Sequence, residues 1–390
     1  MVEEVFKWQD YDTKLSQAFS PATAISRKAF FRGRQSALRR VIDGVNQAGQ
    51  HVIIFGERGV GKTSLANVIT DFLHPFTSEQ ITTHKVNGFR DSSFSVIWGK
   101  FFSYLEIKRE NNGDELTPND VIDALPRNRK IILIVDEFNS IENPDVDALF
   151  ADTIKALSDF EIDTTLVIVG VADDVDDLIT EHESIDRCLV QVHLPRMDFK
   201  ELIEIVEGGI KIAEMSIAQE ATTQICTLTL GLPHYAHALG LAAGRAAIER
   251  RSVDIDVSDV NKAMSTLVRD THQTILRHFD AATASPRREN LYFKVLLACA
   301  LATTDHLGRF RAADIREPYS AIMKRRYDIP AFSRHLHDLC NSARGEVLQR
   351  YGEIHNYRFR FTNPMMQPFV IMQGLQRNLI GLQDIRPRNI

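Results

Sequence analysis

Residues 51–66 read HVIIFGERGVGKTSLA, and this stretch decides the fold. Val52 to Phe55 is an apolar run of strand length with no polar face. Gly56, Glu57, Arg58, Gly59, Val60, Gly61, Lys62 and Thr63 then fit the phosphate-loop pattern G-x-x-x-x-G-K-[ST], and Ser64 onward has helical character. The chemistry needs these residue types in this order. Glycines let the loop wind so tightly that successive backbone N–H groups point inward at a phosphate, and the following helix adds its positive end. Lys62 is then positioned to reach the β- and γ-phosphates of ATP, and the Thr63 hydroxyl to ligate Mg2+. A glycine-rich turn that matches by chance is the competing reading. The apolar run before the loop and the helical stretch after it argue against that.

Working outward, a helix is expected from about Arg34 to Gln47, with Leu38, Val41, Ile42 and Val45 at helical spacing. Beyond the loop the pattern predicts a strand near 81–86, a helix near 94–107, and a short helix ending at Pro126. The segment Lys130-IILIVDEF-Asn139 follows. Its five consecutive aliphatics read as a strand covered on both faces, the mark of a parallel sheet. It ends in Asp136 and Glu137, at the edge where ligands sit in open α/β sheets. Asp136 suits the Mg2+ shell, and Glu137 suits deprotonating or orienting an attacking water. A helix over 145–160 and strands over 164–171 and 189–194 complete an α/β fold with a doubly wound parallel sheet. From Met197 to about Asp280 the pattern is helical throughout, the signature of a small helical lid. Residues 281–286 read as a linker. The last hundred residues predict three helices (291–302, 312–325, 330–342) and two short strands (346–351, 357–361), the parts of a winged helix. The expected division is an irregular arm over 1–30, an ATPase core over 31–196, a lid over 197–280 and a winged helix over 287–390.

Composition bounds the class. The chain has 390 residues, 44% apolar and 25% charged, which is ordinary for a water-soluble protein with several domains. No apolar run is long enough to span a membrane and no targeting segment is evident, so a cytoplasmic location and no membrane partner are expected. The four cysteines (Cys188, Cys226, Cys299, Cys340) are dispersed without C-x-x-C, which indicates neither a zinc site nor a disulfide framework. The net charge of −6 hides an asymmetry. Residues 285–390 hold 17 Lys+Arg against 9 Asp+Glu, a balance of +8, which leaves −14 on the rest. Such a basic C-terminal third fits an anionic partner such as duplex DNA, and equally a solvated basic surface.

Taken together, these motifs resemble those of AAA+ ATPases, and within them the bacterial relatives of the origin-recognition initiator ATPases. The resemblance covers roughly residues 20–370. It is carried by Phe31-Arg-Gly-Arg34 leading into a helix, GERGVGKTS, IILIVDEF, the strand LVIVGVADD, Ser184-Ile-Asp-Arg187 before a strand ending in Leu194-Pro-Arg196, GLPHYAHAL in the lid, and the C-terminal winged helix. It implies an ATP-hydrolysing molecular switch with a P-loop core, a helical lid and ATP-dependent homo-oligomerisation. Arg187 stands where the family carries the arginine that reaches a neighbouring subunit's nucleotide; the alternative is an ion pair with Asp186, Glu183 or Glu181. Two motifs depart from the pattern. The sensor-1 position offers only Asp173, and the lid reads Gly231-Leu-Pro-His234 in place of G-x-R. The latter is closer to the GxP of signal-transducing (STAND) ATPases, whose proline packs near the adenine. Pro233 alternatively does no more than start a helix, and His234 is a surface or core histidine. Two functions therefore stand side by side. One is an initiator- or transposition-helper-like switch acting on DNA. The other is a STAND-like signalling or defence ATPase whose winged helix docks a protein.

Overall fold

The computed structural model describes residues 2–73, 81–108, 115–173, 175, 178–179, 185–285, 290–305, 307–353 and 356–385. These residues form two compact units, one of residues 24–195 and one of residues 1–23 with 196–390. The chain opens with α1 (Val2–Ala18), which belongs to the second unit.

The first unit contains α2 (Gln35–Asn46), β1 (His51–Gly56), α3 (Lys62–Leu73), β2 (Thr82–Asn87), α4 (Phe94–Tyr104), α5 (Pro118–Ala124), β3 (Ile131–Asp136), α6 (Asp145–Asp159), β4 (Thr164–Val171) and β5 (Leu189–His193). All five strands are parallel, in the order β2-β3-β4-β1-β5. β1 and β3 are buried along their whole length, as their unbroken aliphatic runs require. On one side the sheet meets an aromatic cluster in which Phe94, Trp98 and Phe138 pack around Phe150. His51 opens β1 as a core histidine. Its Nδ1 accepts from the Leu166 N–H at 3.0 Å, and burial pulls its pKa down to about 4, so the ring is neutral. β4 separates β1 from β3, so the phosphate loop and the Asp136–Glu137 pair leave the same sheet edge one strand apart.

The second unit continues with α7 (Phe199–Ile212), β6 (Ser216–Ile217), α8 (Gln219–Thr229), α9 (Pro233–Glu249), β7 (Asp254–Ile255), α10 (Val257–Arg269) and α11 (Gln273–Thr283). After these come α12 (Leu291–Leu301), β8 (Phe310–Arg311), α13 (Ala312–Ile322), α14 (Pro330–Asp338), β9 (Leu348–Tyr351), β10 (Arg358–Phe361) and α15 (Met366–Gln376). β8, β10 and β9 form a three-stranded antiparallel sheet, and β6 pairs with β7.

Residues 2–18 form a helix rather than an irregular arm, and the reason lies far away in sequence. Leu15 and Phe19 are buried against three glycines of α7 and α9. A Cβ at Gly209 would lie 2.4 Å from the Phe19 ring, and one at Gly244 would lie 2.7 Å from Leu15. Ion pairs from Lys14 to Glu214 (2.8 Å) and from Arg245 to Asp12 (2.7 Å) rim the contact. The expected linker is also shorter than its composition suggests. α11 runs to Thr283, held by the Thr283 hydroxyl donating to Phe279 O at 2.8 Å, and Pro286 lies outside the described residues. β8 and α15 have no counterpart in the sequence reading, and neither does the β6–β7 pair, which interrupts the stretch from Met197 to about Asp280 expected to be helical throughout.

Candidate nucleotide site

β1 ends in Gly56 at φ +148°, where a side chain would meet Leu194 O at 2.3 Å. Only glycine lets the loop leave the sheet there. Gly59 and Gly61 follow with φ of +86° and +99°, and α3 begins at Lys62. The Lys62 ammonium lies across the loop, donating to Gly56 O at 2.9 Å and Glu57 O at 2.7 Å. The lysine is 7% exposed, and burial pulls its pKa down to about 8, against the opposing pull of Asp136 and Glu57. A buried lysine framed by backbone at positive φ is a cradle for a multiply charged anion. Behind the loop, the buried Arg34 donates to Val60 O at 3.0 Å and to Pro195 O, so it braces the loop from α2's N-terminal end.

The two acid positions meet this cradle. The Thr63 hydroxyl lies 3.3 Å from Asp136 Oδ1, and Asp136 is 3% exposed. A hydroxyl and a carboxylate facing each other are hard oxygen donors, the set that suits Mg2+. Glu137 follows in a left-handed conformation (φ 55°, ψ 35°), which costs a non-glycine residue about 1–3 kcal/mol and turns the exposed carboxylate out of the strand. Sequence reasoning missed Lys85 on β2. Its ammonium donates to Asn67 Oδ1 at 2.6 Å and pairs with Asp136 at 3.4 Å. Only the register Val86↔Val135, Lys85↔Ile134 brings it there, which no local motif encodes. At the end of β4, the Asn139 side chain accepts from Val171 N–H at 2.7 Å.

Arg187 is 71% exposed and pairs with Asp159 at 2.5 Å. Asp186 instead accepts from Gln191, and Glu181, Glu183 and Ser184 lie outside the described residues. In the second unit, Gly231 turns at φ +83°, with its carbonyl accepting from Met197 N–H at 2.8 Å, and Pro233 is the buried first residue of α9. His234 is largely buried there, and desolvation lowers its pKa, so it is no surface cation. Arg196, also buried, donates to Gln367 Oε1 at 2.9 Å and to Leu230 O at 3.3 Å, and Gln367 donates on to Ala300 O at 2.8 Å.

In a winged helix the second helix of the motif enters the major groove, so the sequence pattern offers Ser333, Arg334, His337 and Asp338 to bases and Arg350, His355 and Arg358 in or beside the wing to phosphates; the structure divides these positions differently. On α14, Asp338 accepts from the Tyr292 hydroxyl at 2.8 Å, and the His337 ring packs on Tyr357 and Phe359. Of Ser333, Arg334, His337 and Asp338, Arg334 alone is fully exposed. Arg358 pairs with Asp305 at 2.5 Å, Arg350 stacks on Tyr357, and His355 lies outside the described residues. No group of His, Cys, Asp and Glu able to hold a metal occurs among the described residues, nor does any helix long and apolar enough to cross a membrane.

The sequence model of the family Novel STAND NTPase 1 matches residues 18–241. Among solved structures, the chain is similar to Cdc6p from Pyrobaculum aerophilum, at 17% identity and a TM-score of 0.52, covering 94% of this chain and 99% of that one. It is similar to the Walker-type ATPase PabY2304 of Pyrococcus abyssi, at 15% identity and a TM-score of 0.51, covering 90% and 98%. A third is the Orc2 protein of Aeropyrum pernix in its ADPNP–ADP complexes, at 16% identity and a TM-score of 0.50, covering 93% and 98%. No curated protein matches the chain by sequence. At these identities the likeness is one of fold: an α/β AAA+ architecture in which a parallel five-stranded sheet is accompanied by a helical lid.

Proposed function

Because the chain belongs to the Novel STAND NTPase 1 family, we propose that it is a switch that binds and hydrolyses ATP. The observation that carries the reading is the meeting of Thr63 with Asp136 at 3.3 Å beside the buried Lys62, with Glu137 next in line. Gly56 to Ser64 wrap the phosphates with backbone N–H groups, and Lys62 exchanges its carbonyl partners for phosphate oxygens. Thr63 and Asp136 would hold Mg2+, which would supply positive charge beside the phosphate oxygens. Glu137 takes the proton of the attacking water. Pro233 packs beside the adenine, and Arg187 exchanges Asp159 for the nucleotide of a second copy when ATP drives assembly. Glu137→Gln tests the core of this. It should retain ATP while hydrolysis falls by about 10²–10⁴-fold, the usual contribution of a general base. Hydrolysis at the parent rate would remove Glu137 from the mechanism.

The output we assign to the C-terminal helices and sheet, as a winged helix acting on duplex DNA in the cytoplasm. The +8 balance of residues 285–390 supports it, since phosphate contacts set nonspecific affinity. A second reading has its own support. The Gly231-Leu-Pro turn without an arginine, together with the family, favours a STAND-like signalling role in which the same region docks a protein. Light scattering with ADP and with a slowly hydrolysed ATP analogue, with and without duplex, separates the two. Assembly that depends on ATP and carries DNA supports the first reading, and assembly indifferent to DNA supports the second.

A further inference from the structure

The three strands β8, β9 and β10 contain no acidic residue. One face of the sheet is apolar and buried, with Phe310 stacked on its cross-strand partner Phe359 and Phe361 beside them. The alternation of a strand therefore sends Arg358 and Arg360 to the opposite face. Arg358 pairs in register with Arg311 on one side and Tyr351 on the other, and Arg360 pairs with Gln349. Arg309, two residues before Arg311, joins the same face, with its guanidinium 4.3 Å from the centre of the Tyr351 ring. Arg360 lies 5.2 Å from that ring and donates to its hydroxyl at 2.7 Å.

Two features of this face are unfavourable for an inert surface. Arg311 and Arg358 stand directly opposite each other, an arrangement of like charges that destabilises a strand pair. Among the described residues Asp305 bonds Arg358, and the Asp314 carboxylate accepts from the backbone N–H of Arg311. Stacking on Tyr351 also fixes two guanidinium groups that solvent would otherwise leave mobile. Ordering a guanidinium beforehand removes entropy cost from binding. On α14, by contrast, His337 and Asp338 are turned to partners within the unit, and Arg334 lies 3.9 Å from Asp338.

We propose that the open face of the β8–β10–β9 sheet, through Arg309, Arg311, Arg358 and Arg360, is the surface that grips the phosphates of duplex DNA, and that α14 is not. Its chemistry is that of a polyanion site: four guanidinium groups on a pleated surface, with the stacked pair set beside the strand pair. Contacts to phosphate position a protein on the duplex and carry no sequence information, so binding through this face is expected to be independent of base sequence.

This inference rests on the DNA output proposed above, and one experiment distinguishes the failure of either. The full chain is titrated against a fluorescent duplex of about twenty base pairs by anisotropy between about 50 and 200 mM salt. Arg309→Gln/Arg360→Gln should shallow the plot of log K against log[salt] by about two units, and Arg311→Gln by about one. Arg334→Gln should leave the slope unchanged. Arg311 is exposed at the end of a two-residue strand, so its substitution keeps the test open should the double variant fail to fold. Parent protein that binds duplex, with a slope insensitive to Arg311→Gln and to the double variant but lowered by Arg334→Gln, overturns the sheet face and leaves the DNA output standing. No binding by the parent at the lowest salt overturns both. A change in oligomer size without DNA in the double variant, with an unaltered salt slope, identifies the face as a contact between copies and overturns the proposal.

Discussion

Lys62→Met should make the nucleotide-free protein more stable at neutral pH while abolishing ATP binding. The Lys62 pKa falls from 10.5 to about 8, chiefly because burial penalises the ammonium. At 1.36 kcal/mol per unit, holding the charged form in the folded loop costs about 3 kcal/mol. Methionine keeps most of the aliphatic packing but gives no donor to Gly56 O and Glu57 O, a loss of about 1 kcal/mol for each bond. A net gain of about 1 kcal/mol remains at neutral pH. The sign with pH follows from a folded pKa below the unfolded one. Below about 8 both states of the parent carry the proton and the cost is complete. Between about 8 and 10.5 the unfolded chain keeps a proton that the folded chain has released, so the parent gains stability as pH rises. Denaturant unfolding of parent and variant at neutral pH and at about pH 10 reads this directly, with the advantage of the variant shrinking and reversing. Parallel pH dependence in the two proteins, or a variant less stable at neutral pH, would refute the burial argument. The same titration predicts that ATP binding near pH 8–9 takes up a proton, since phosphate restores the lysine's charge.

Two further outcomes follow from side chains described above. Arg187→Ala should bind ATP but lose the activity that depends on assembly, and mixing it with Lys62→Ala should restore part of it, since an intact pocket then meets an intact arginine; no recovery at any mixing ratio would leave Arg187 a surface partner of Asp159. Arg196→Ala should destabilise the unit of residues 1–23 and 196–390 by about 2–3 kcal/mol, because buried Gln367 and Leu230 O lose a charged donor; thermal unfolding unchanged from the parent would contradict that.

The candidate nucleotide site was legible because its information is local. Gly56, Gly59 and Gly61 are written in the chain beside the lysine they frame, and Asp136 ends a strand whose aliphatic run announces itself. The supporting side chains were not, because their partners come from elsewhere. Lys85 meets Asp136 only through the β2–β3 register, and Arg34 braces Val60 and Pro195 across the unit. The helix α14 illustrates the limit from the other side. Its sequence offers four polar side chains at the right positions, yet Asp338 is held by Tyr292 from 46 residues away, a partner that spacing along α14 does not contain. α1 was missed for a similar reason: its apolar side chains are matched by glycines, which carry no hydrophobic signal of their own.

That match has a consequence for how the chain is made. Residues 24–195 are an insertion within a unit whose first helix emerges from the ribosome long before its docking groove exists. Gly244 follows Leu15 by 229 residues, so at about 5–20 residues per second the apolar side of α1 waits about 10–45 s for its partner. The inserted unit contains its own complete sheet and can close during that interval. The nascent protein thus passes through a state with a finished parallel-sheet body and an unclaimed N-terminal helix, the stage at which a chaperone would find Leu15 and Phe19 bare.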